Sequence, residues 1–132
     1  MTNRRKPLHA KAYRSSFLRS SAWFARRDAW FATQAMSARP LACAGCGRRA
    51  TKKELELHHF DYSGVSQTED GRWVALEDDR DLVPLHPYCH ELLRRLIDRD
   101  AVLSRHRERR AASNFALGVL RLKVHTLEGT AP

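Results

Sequence analysis

The chain has 132 residues, 42% hydrophobic and 30% charged, a balance that suits one globular domain with a modest core. No apolar run approaches a membrane-spanning length. The basic start Met1-Thr2-Asn3-Arg4-Arg5-Lys6-Pro7 leads into no apolar signal-peptide core, so an intracellular, cytoplasmic protein is expected. The formal charge of +9 is unevenly spread: residues 1–50 carry eleven Lys/Arg and one Asp, residues 51–90 four against nine acidic, and residues 91–132 nine against five.

An acidic, His-rich centre is thus bracketed by basic flanks. That pattern suits a polyanion held by the flanks while a cation sits in the middle. Nucleic acid is favoured over the plainer reading of Arg-rich helices as solvated surface. Arg14, Arg19, Arg26, Arg27, Arg48, Arg49 and Arg72 are the candidate contacts.

Residues 1–11 read as a disordered basic arm, because Pro7 and the charge run discourage a helix. A long helix is predicted from Ala12 to Met36. Tyr13, Phe17, Phe24 and Phe31 recur near helical spacing, and Trp23 and Trp30 lie seven apart on a neighbouring stripe. Alternatively, Ser20-Ser21 caps a second helix and splits the segment. The aromatic stripe reads as core rather than as a base-stacking platform. Arg39-Pro40 closes the helical stretch.

Cys43-Ala44-Gly45-Cys46-Gly47 reads as a tight turn whose glycines let backbone amides approach a metal-bound sulfur. Glu54 to Phe60 alternates like a strand with Leu55 and Leu57 on one face. Tyr62 to Asp70 reads as a loop, Arg72 to Leu76 as a short strand and Glu77 to Arg80 as a turn. Leu82-Val83-Pro84-Leu85 is the second main strand, necessarily short or at an edge because of Pro84. A helix follows from Tyr88-Cys89-His90 to Asp98 or beyond, with Leu92, Leu93, Leu96 and Ile97 as its apolar face. Arg105 to Arg110 is an exposed basic run. A last helix from Asn114 to Val124 offers Phe115, Leu117, Val119, Leu120 and Leu122 for docking.

Three cysteines do not make a disulfide framework, and a CxxC pair without a secretion signal points to metal or redox chemistry. A thioredoxin-like reading requires a βαβ unit that does not follow Cys46. Cys43, Cys46, His86 and Cys89 instead form two pairs, each separated by two residues, so that both members of a turn face one ion. Three thiolates and an imidazole make a tetrahedral structural zinc set. His58, His59 and His90 surround the same proposed hairpin. Adjacent strand residues point to opposite faces, so His58 and His59 do different jobs, and a second, open metal site beside the zinc is expected.

Together, Cys43-x₂-Cys46, Leu55-Glu56-Leu57-His58-His59 and Asp81-Leu82-Val83-Pro84-Leu85-His86-x₂-Cys89-His90 resemble the HNH endonuclease family. The match covers residues 43–90. Phe17-Leu18-Arg19-Ser20-Ser21-Ala22-Trp23 is more weakly similar to the helical segment preceding the knuckle in some members. The resemblance implies an α+β fold with a ββα-metal core and two zinc knuckles, flanked by N-terminal and C-terminal helices. One domain would then span residues 12–132, with its core at 41–98 and helical flanks at 12–38 and 99–127.

The resemblance also implies roles. His58 and His90 would hold a catalytic divalent ion, Mg²⁺ or Mn²⁺ with Ni²⁺ an option, and His59 would be the general base. Asp81 stands where the family usually has Asn; it would either orient His59 or join the ion as a third ligand. His86 replaces the usual third knuckle cysteine, and Arg94 stands where some members carry another His. The implied activity is metal-dependent hydrolysis of DNA phosphodiester bonds, with a dimer the simple way to cut both strands. The rivals are a non-catalytic zinc-stabilised nucleic-acid-binding module and a basic protein that binds an acidic partner protein.

Overall fold

Ser20 divides the N-terminal helical stretch. Its hydroxyl accepts from the Trp23 N–H at 3.2 Å and donates to the Phe17 carbonyl, so one residue ends a first helix and caps a second. The single long helix is therefore corrected to α1 (Lys11–Leu18) and α2 (Ser21–Ala35). The break resets the helical phase. Phe17, Trp23, Trp30 and Phe31 are buried, while Phe24, expected on the same stripe, is exposed.

The computed structural model describes residues 11–103 and 108–127, and the N-terminal arm expected over residues 1–11 lies almost wholly outside them. The described chain is mixed α and β. After the knuckle turn come β1 (Glu56–His59), β2 (Val65–Gln67), β3 (Trp73–Ala75), β4 (Leu82–Leu85), α3 (Pro87–Leu103) and α4 (Arg109–Leu127). Short 3₁₀ turns precede β1 (Lys52–Glu54) and β4 (Asp79–Asp81). No helix among the described residues is long and apolar enough to cross a membrane.

β1 and β4 pair antiparallel, with His58 opposite Val83 and His59 opposite Leu82. In a two-stranded sheet both strands are edges, which is why Pro84 is tolerated. β2 and β3 form a second antiparallel pair, so the loop expected over Tyr62 to Asp70 contains a strand. That hairpin lies against the N-terminal helices: Tyr13 and Phe17 meet Trp73 edge-on, and the Tyr13 hydroxyl donates to Gln67 Oε1 at 3.0 Å.

α3 begins on Pro87, whose fixed φ and missing N–H suit a first helical position. α4 starts five residues earlier than expected and packs along α3. It buries Ala112, Ser113, Ala116, Leu117, Leu120 and Val124, and leaves Phe115 and Leu122 exposed. β1 is consequently covered on both faces. Strand alternation sends His58 toward α3 and α4 and His59 toward α1, α2 and the second hairpin, and both are only 2% exposed.

Candidate functional site

The knuckle is built from backbone. Cys43 N–H donates to the Arg48 carbonyl at 3.0 Å and Gly47 N–H to the Cys43 carbonyl at 2.9 Å, a reversal that places Gly47 at φ 77°. Ala44 N–H donates to the Pro84 carbonyl at 2.8 Å and ties the turn to β4. β4 leads directly through His86 into α3, so Cys89 arrives one helical turn beside the knuckle. The ligand atoms of Cys43, Cys46, His86 and Cys89 all lie within 4.8 Å of one another, with Cys46 Sγ 3.3 Å from His86 Nδ1.

Four donors this close can hold one metal ion such as zinc. The thiols' acidities divide. Burial pushes the Cys89 thiol up to about 12, with Cys43 and Cys46 adding to the rise, and burial also raises Cys46. Cys43 is likewise penalised by burial, yet N–H groups of His86, Cys46 and Gly45 outweigh this and hold it at about 7. Thiolates crowded in this way repel each other, and a divalent cation removes the conflict by holding all three deprotonated.

The histidines line a cleft of about 390 Å³ walled by Arg14, Arg94, Arg95 and Arg109. His58 Nδ1 is 3.3 Å from His90 Nε2. Two nitrogens on one ion, each at about 2.1 Å, stand roughly 3.0–3.4 Å apart at octahedral or tetrahedral angles, so this spacing fits a shared cation. The outward nitrogens are also engaged: His58 Nε2 lies 3.1 Å from Ser113 Oγ, and His90 Nδ1 lies 2.8 Å from Glu56 Oε1. Burial pushes the His58 imidazole down to about 2, with Arg109 and His90 adding to the effect, so His58 is neutral. Burial also lowers His90, against the pull of Glu56.

His59 faces away from this pair. Its Nε2 is 2.6 Å from Glu77 Oε2, its ring stacks on Tyr62 with centroids 4.3 Å apart, and Trp23 and Phe17 close around it. Burial lowers its pKa despite Glu77, which favours the neutral ring. Arg109 crosses the strand end: its Nε donates to the His59 carbonyl at 2.9 Å and its guanidinium sits over Tyr62. Glu77 is held in place from α2, where Arg26 donates to its carbonyl and pairs with Asp79, and where Trp30 Nε1 donates to the Asp79 carbonyl at 3.0 Å.

Asp81 does not meet the expectation that it orients His59. The strand pairing continues one step past His59 and Leu82, since Phe60 N–H donates to the Asp81 carbonyl at 2.7 Å. Paired residues share a face, so Asp81 turns to the face opposite His59. Its Oδ1 lies 2.6 Å from Arg110 Nη2, a contact of charge without an aligned hydrogen bond. Glu77 is the carboxylate that meets His59.

The expected nucleic-acid contacts divide. Arg14 lines the cleft. Arg26 is turned inward, and Arg27 donates to the Lys52 and Leu55 carbonyls and covers the Phe31 ring. Arg72 pairs with Asp70 at the hairpin tip, and Arg19, Arg48 and Arg49 are exposed away from the cleft lining. The basic run expected to be exposed at Arg105 to Arg110 lies partly outside the described residues, and its Arg109 is drawn into the cleft instead. Sequence reasoning also missed Glu56, Glu77 and Ser113. Glu56 shares a strand face with His58 two residues on, a signal that was legible; Glu77 and Ser113 have no spacing relation to the histidines. No family model matches the chain, and neither a curated relative nor a solved structure matches it.

Proposed function

We propose that the protein is a metal-dependent DNA endonuclease of HNH type, with β1, β4 and α3 as its ββα-metal core. The observation that carries this reading is the 3.3 Å approach of His58 Nδ1 to His90 Nε2 in an arginine-walled cleft, with a carboxylate-paired His59 on the adjoining strand position. Zinc at Cys43, Cys46, His86 and Cys89 is the structural ion that fixes α3, and so His90, against β4.

His58 and His90 are the residues that would hold the catalytic divalent ion. A Mg²⁺, Mn²⁺ or Ni²⁺ ion bound there supplies Lewis-acid stabilisation of charge on the scissile phosphate and its leaving oxygen. The protein's own contribution is base and position. Neutral His59 donates its Nε2 proton to Glu77, and its Nδ1 is the nitrogen left to accept a proton from the attacking water. Glu77 then stabilises the imidazolium that forms, as a buried carboxylate does for a base it orients. Water adds to phosphorus and the bond to the 3′ oxygen breaks; the leaving oxygen takes a proton from solvent, and the products are a 5′-phosphate and a 3′-hydroxyl. Arg14, Arg94, Arg95 and Arg109 hold the flanking phosphates.

The test is plasmid nicking in Mg²⁺ or Mn²⁺ by the wild type and by His59→Ala. Nicking that His59→Ala abolishes upholds the reading. An inert wild type, or equal cutting by both, overturns it; salt-dependent DNA binding without cutting would leave a zinc-stabilised binding module in its place.

A further inference from the structure

Glu56 determines the proton arrangement of the histidine pair. Its carboxylate only accepts hydrogen bonds, and at 2.8 Å it is a much closer partner of His90 Nδ1 than the donor-only Arg94 Nη2 at 3.4 Å, so Nδ1 carries the ring proton. His90 Nε2 therefore presents a lone pair to His58 Nδ1 at 3.3 Å. With no cation between them, His58 donates from Nδ1, and its Nε2 accepts from the Ser113 hydroxyl at 3.1 Å. A cation between the rings requires the reverse. Both facing nitrogens then need lone pairs, so the His58 proton must sit on Nε2 and be accepted by Ser113.

A hydroxyl is the small group that serves both states, because it donates or accepts according to its rotation. Ser113 is fully buried on α4, so water cannot take its place. When it accepts from His58, its own proton can turn onto the helix carbonyl four residues back, that of Arg109.

We propose that Ser113 and Glu56 are the positioning residues of the divalent-ion site: Glu56 holds His90 in one tautomer, and Ser113 exchanges donor for acceptor so that His58 moves its proton from Nδ1 to Nε2 as the ion enters. Nδ1 loses one proton and Nε2 gains one, so none is released overall. This rests on the reading of His58 and His90 as the ion's ligands. Partners of this kind raise ligand basicity and orient the rings, and their loss typically weakens metal affinity about 10–100-fold.

The experiment uses the full chain holding its one structural zinc, and a further equivalent of Zn²⁺ as the probe, a diamagnetic ion that suits imidazole. Calorimetry reads the second affinity, and long-range ¹H–¹⁵N imidazole spectra read the tautomers. In the wild type His58 should change from Nδ1–H to Nε2–H on the second addition, while His90 stays Nδ1–H. Ser113→Ala and Glu56→Ala should each weaken the second zinc about 10–100-fold with the first zinc retained, and Glu56→Gln, whose amide oxygen still accepts, should recover part of the loss. A wild type that binds the second zinc with no tautomer change, or Ser113→Ala and Glu56→Ala variants that bind it as tightly, overturns the positioning roles alone. A wild type that takes no second zinc, or a His58→Asn variant that takes it equally well, overturns the ion site itself and these roles with it.

Discussion

Glu77 Oε2 lies 2.6 Å from His59 Nε2; the Glu77 side chain is wholly buried, and His59, only 1% exposed, is among the residues lining the cleft. The carboxylate comes from the segment after β3, whose backbone α2 holds: Arg26 donates to the Glu77 carbonyl and Trp30 to that of Asp79. In the endonuclease reading, Glu77→Gln keeps the shape and removes the charge that stabilises the imidazolium. Nicking should fall about 10–100-fold by analogy with other outer partners of functional histidines. Glu77→Gln combined with His59→Ala should be no slower than His59→Ala alone. An additive double mutant would separate the two residues.

The zinc knuckle should be a condition of folding. Cys46→Ser removes one of four ligands from a centre that joins the turn, β4 and α3. Metal analysis of the wild type should find one zinc per chain. Cys46→Ser, or chelation of the wild type, should lower Tm sharply and broaden the transition. Retention of the wild-type Tm after complete zinc removal would show that the knuckle is held by packing alone.

α4 closes on the knuckle as well as on the histidines. Leu120 is fully buried, and its Cδ2 would stand only 3.1 Å from a Cβ added at Gly45; Arg121 Nε donates to the Ala44 carbonyl at 2.9 Å. Leu120→Ala leaves a cavity under the turn and should cost about 2–5 kcal/mol. Gly45→Ala should destabilise too, because Cys89 blocks the other side at 3.2 Å. Denaturant unfolding measures both, and a loss below about 1 kcal/mol for Leu120→Ala would place α4 loosely against the turn.

Buried neutral histidines make the fold acid-sensitive. The unfolded chain protonates these rings near 6.5, whereas burial holds His58 at about 2 and lowers His59 and His90. Below 6.5 the unfolded state therefore binds more protons. The stabilisation is fully present above about 6.5 and is lost as pH falls toward the folded values. Tm of the zinc-loaded chain should drop between pH 7.5 and 5.5, and His58→Asn should flatten that slope. An unchanged slope in His58→Asn would contradict the burial argument.

Arg94 and Arg95 stand exposed on the cleft wall, where their pairing with Glu91 contributes little. If the cleft takes DNA, each Arg→Ala variant should weaken binding and reduce the slope of log affinity against log salt by about 1. Arg72→Ala, at the hairpin tip with Asp70, should change neither. A salt slope that falls for Arg72→Ala and not for Arg94→Ala would move the nucleic-acid surface to the second hairpin.

What the sequence determined by itself was local. Two-residue spacing of Cys43 with Cys46 and of His86 with Cys89 dictates that each pair share a turn, and the tertiary contact that unites them follows from one hairpin. Strand alternation separated His58 from His59, and Pro84 marked an edge. Partners were decided only by tertiary structure. Asp81 was expected either to orient His59 or to join the ion as a third ligand; the β1–β4 register turns it to the face opposite His59, and a one-residue step in register is invisible to composition or spacing. Glu77 reaches His59 across 18 residues, Arg109 across 50, and Ser113 reaches His58 across 55. Those meetings depend on how α2 and α4 lie against the sheet. Side-chain packing across the whole core sets that arrangement, and no local pattern in the chain encodes it.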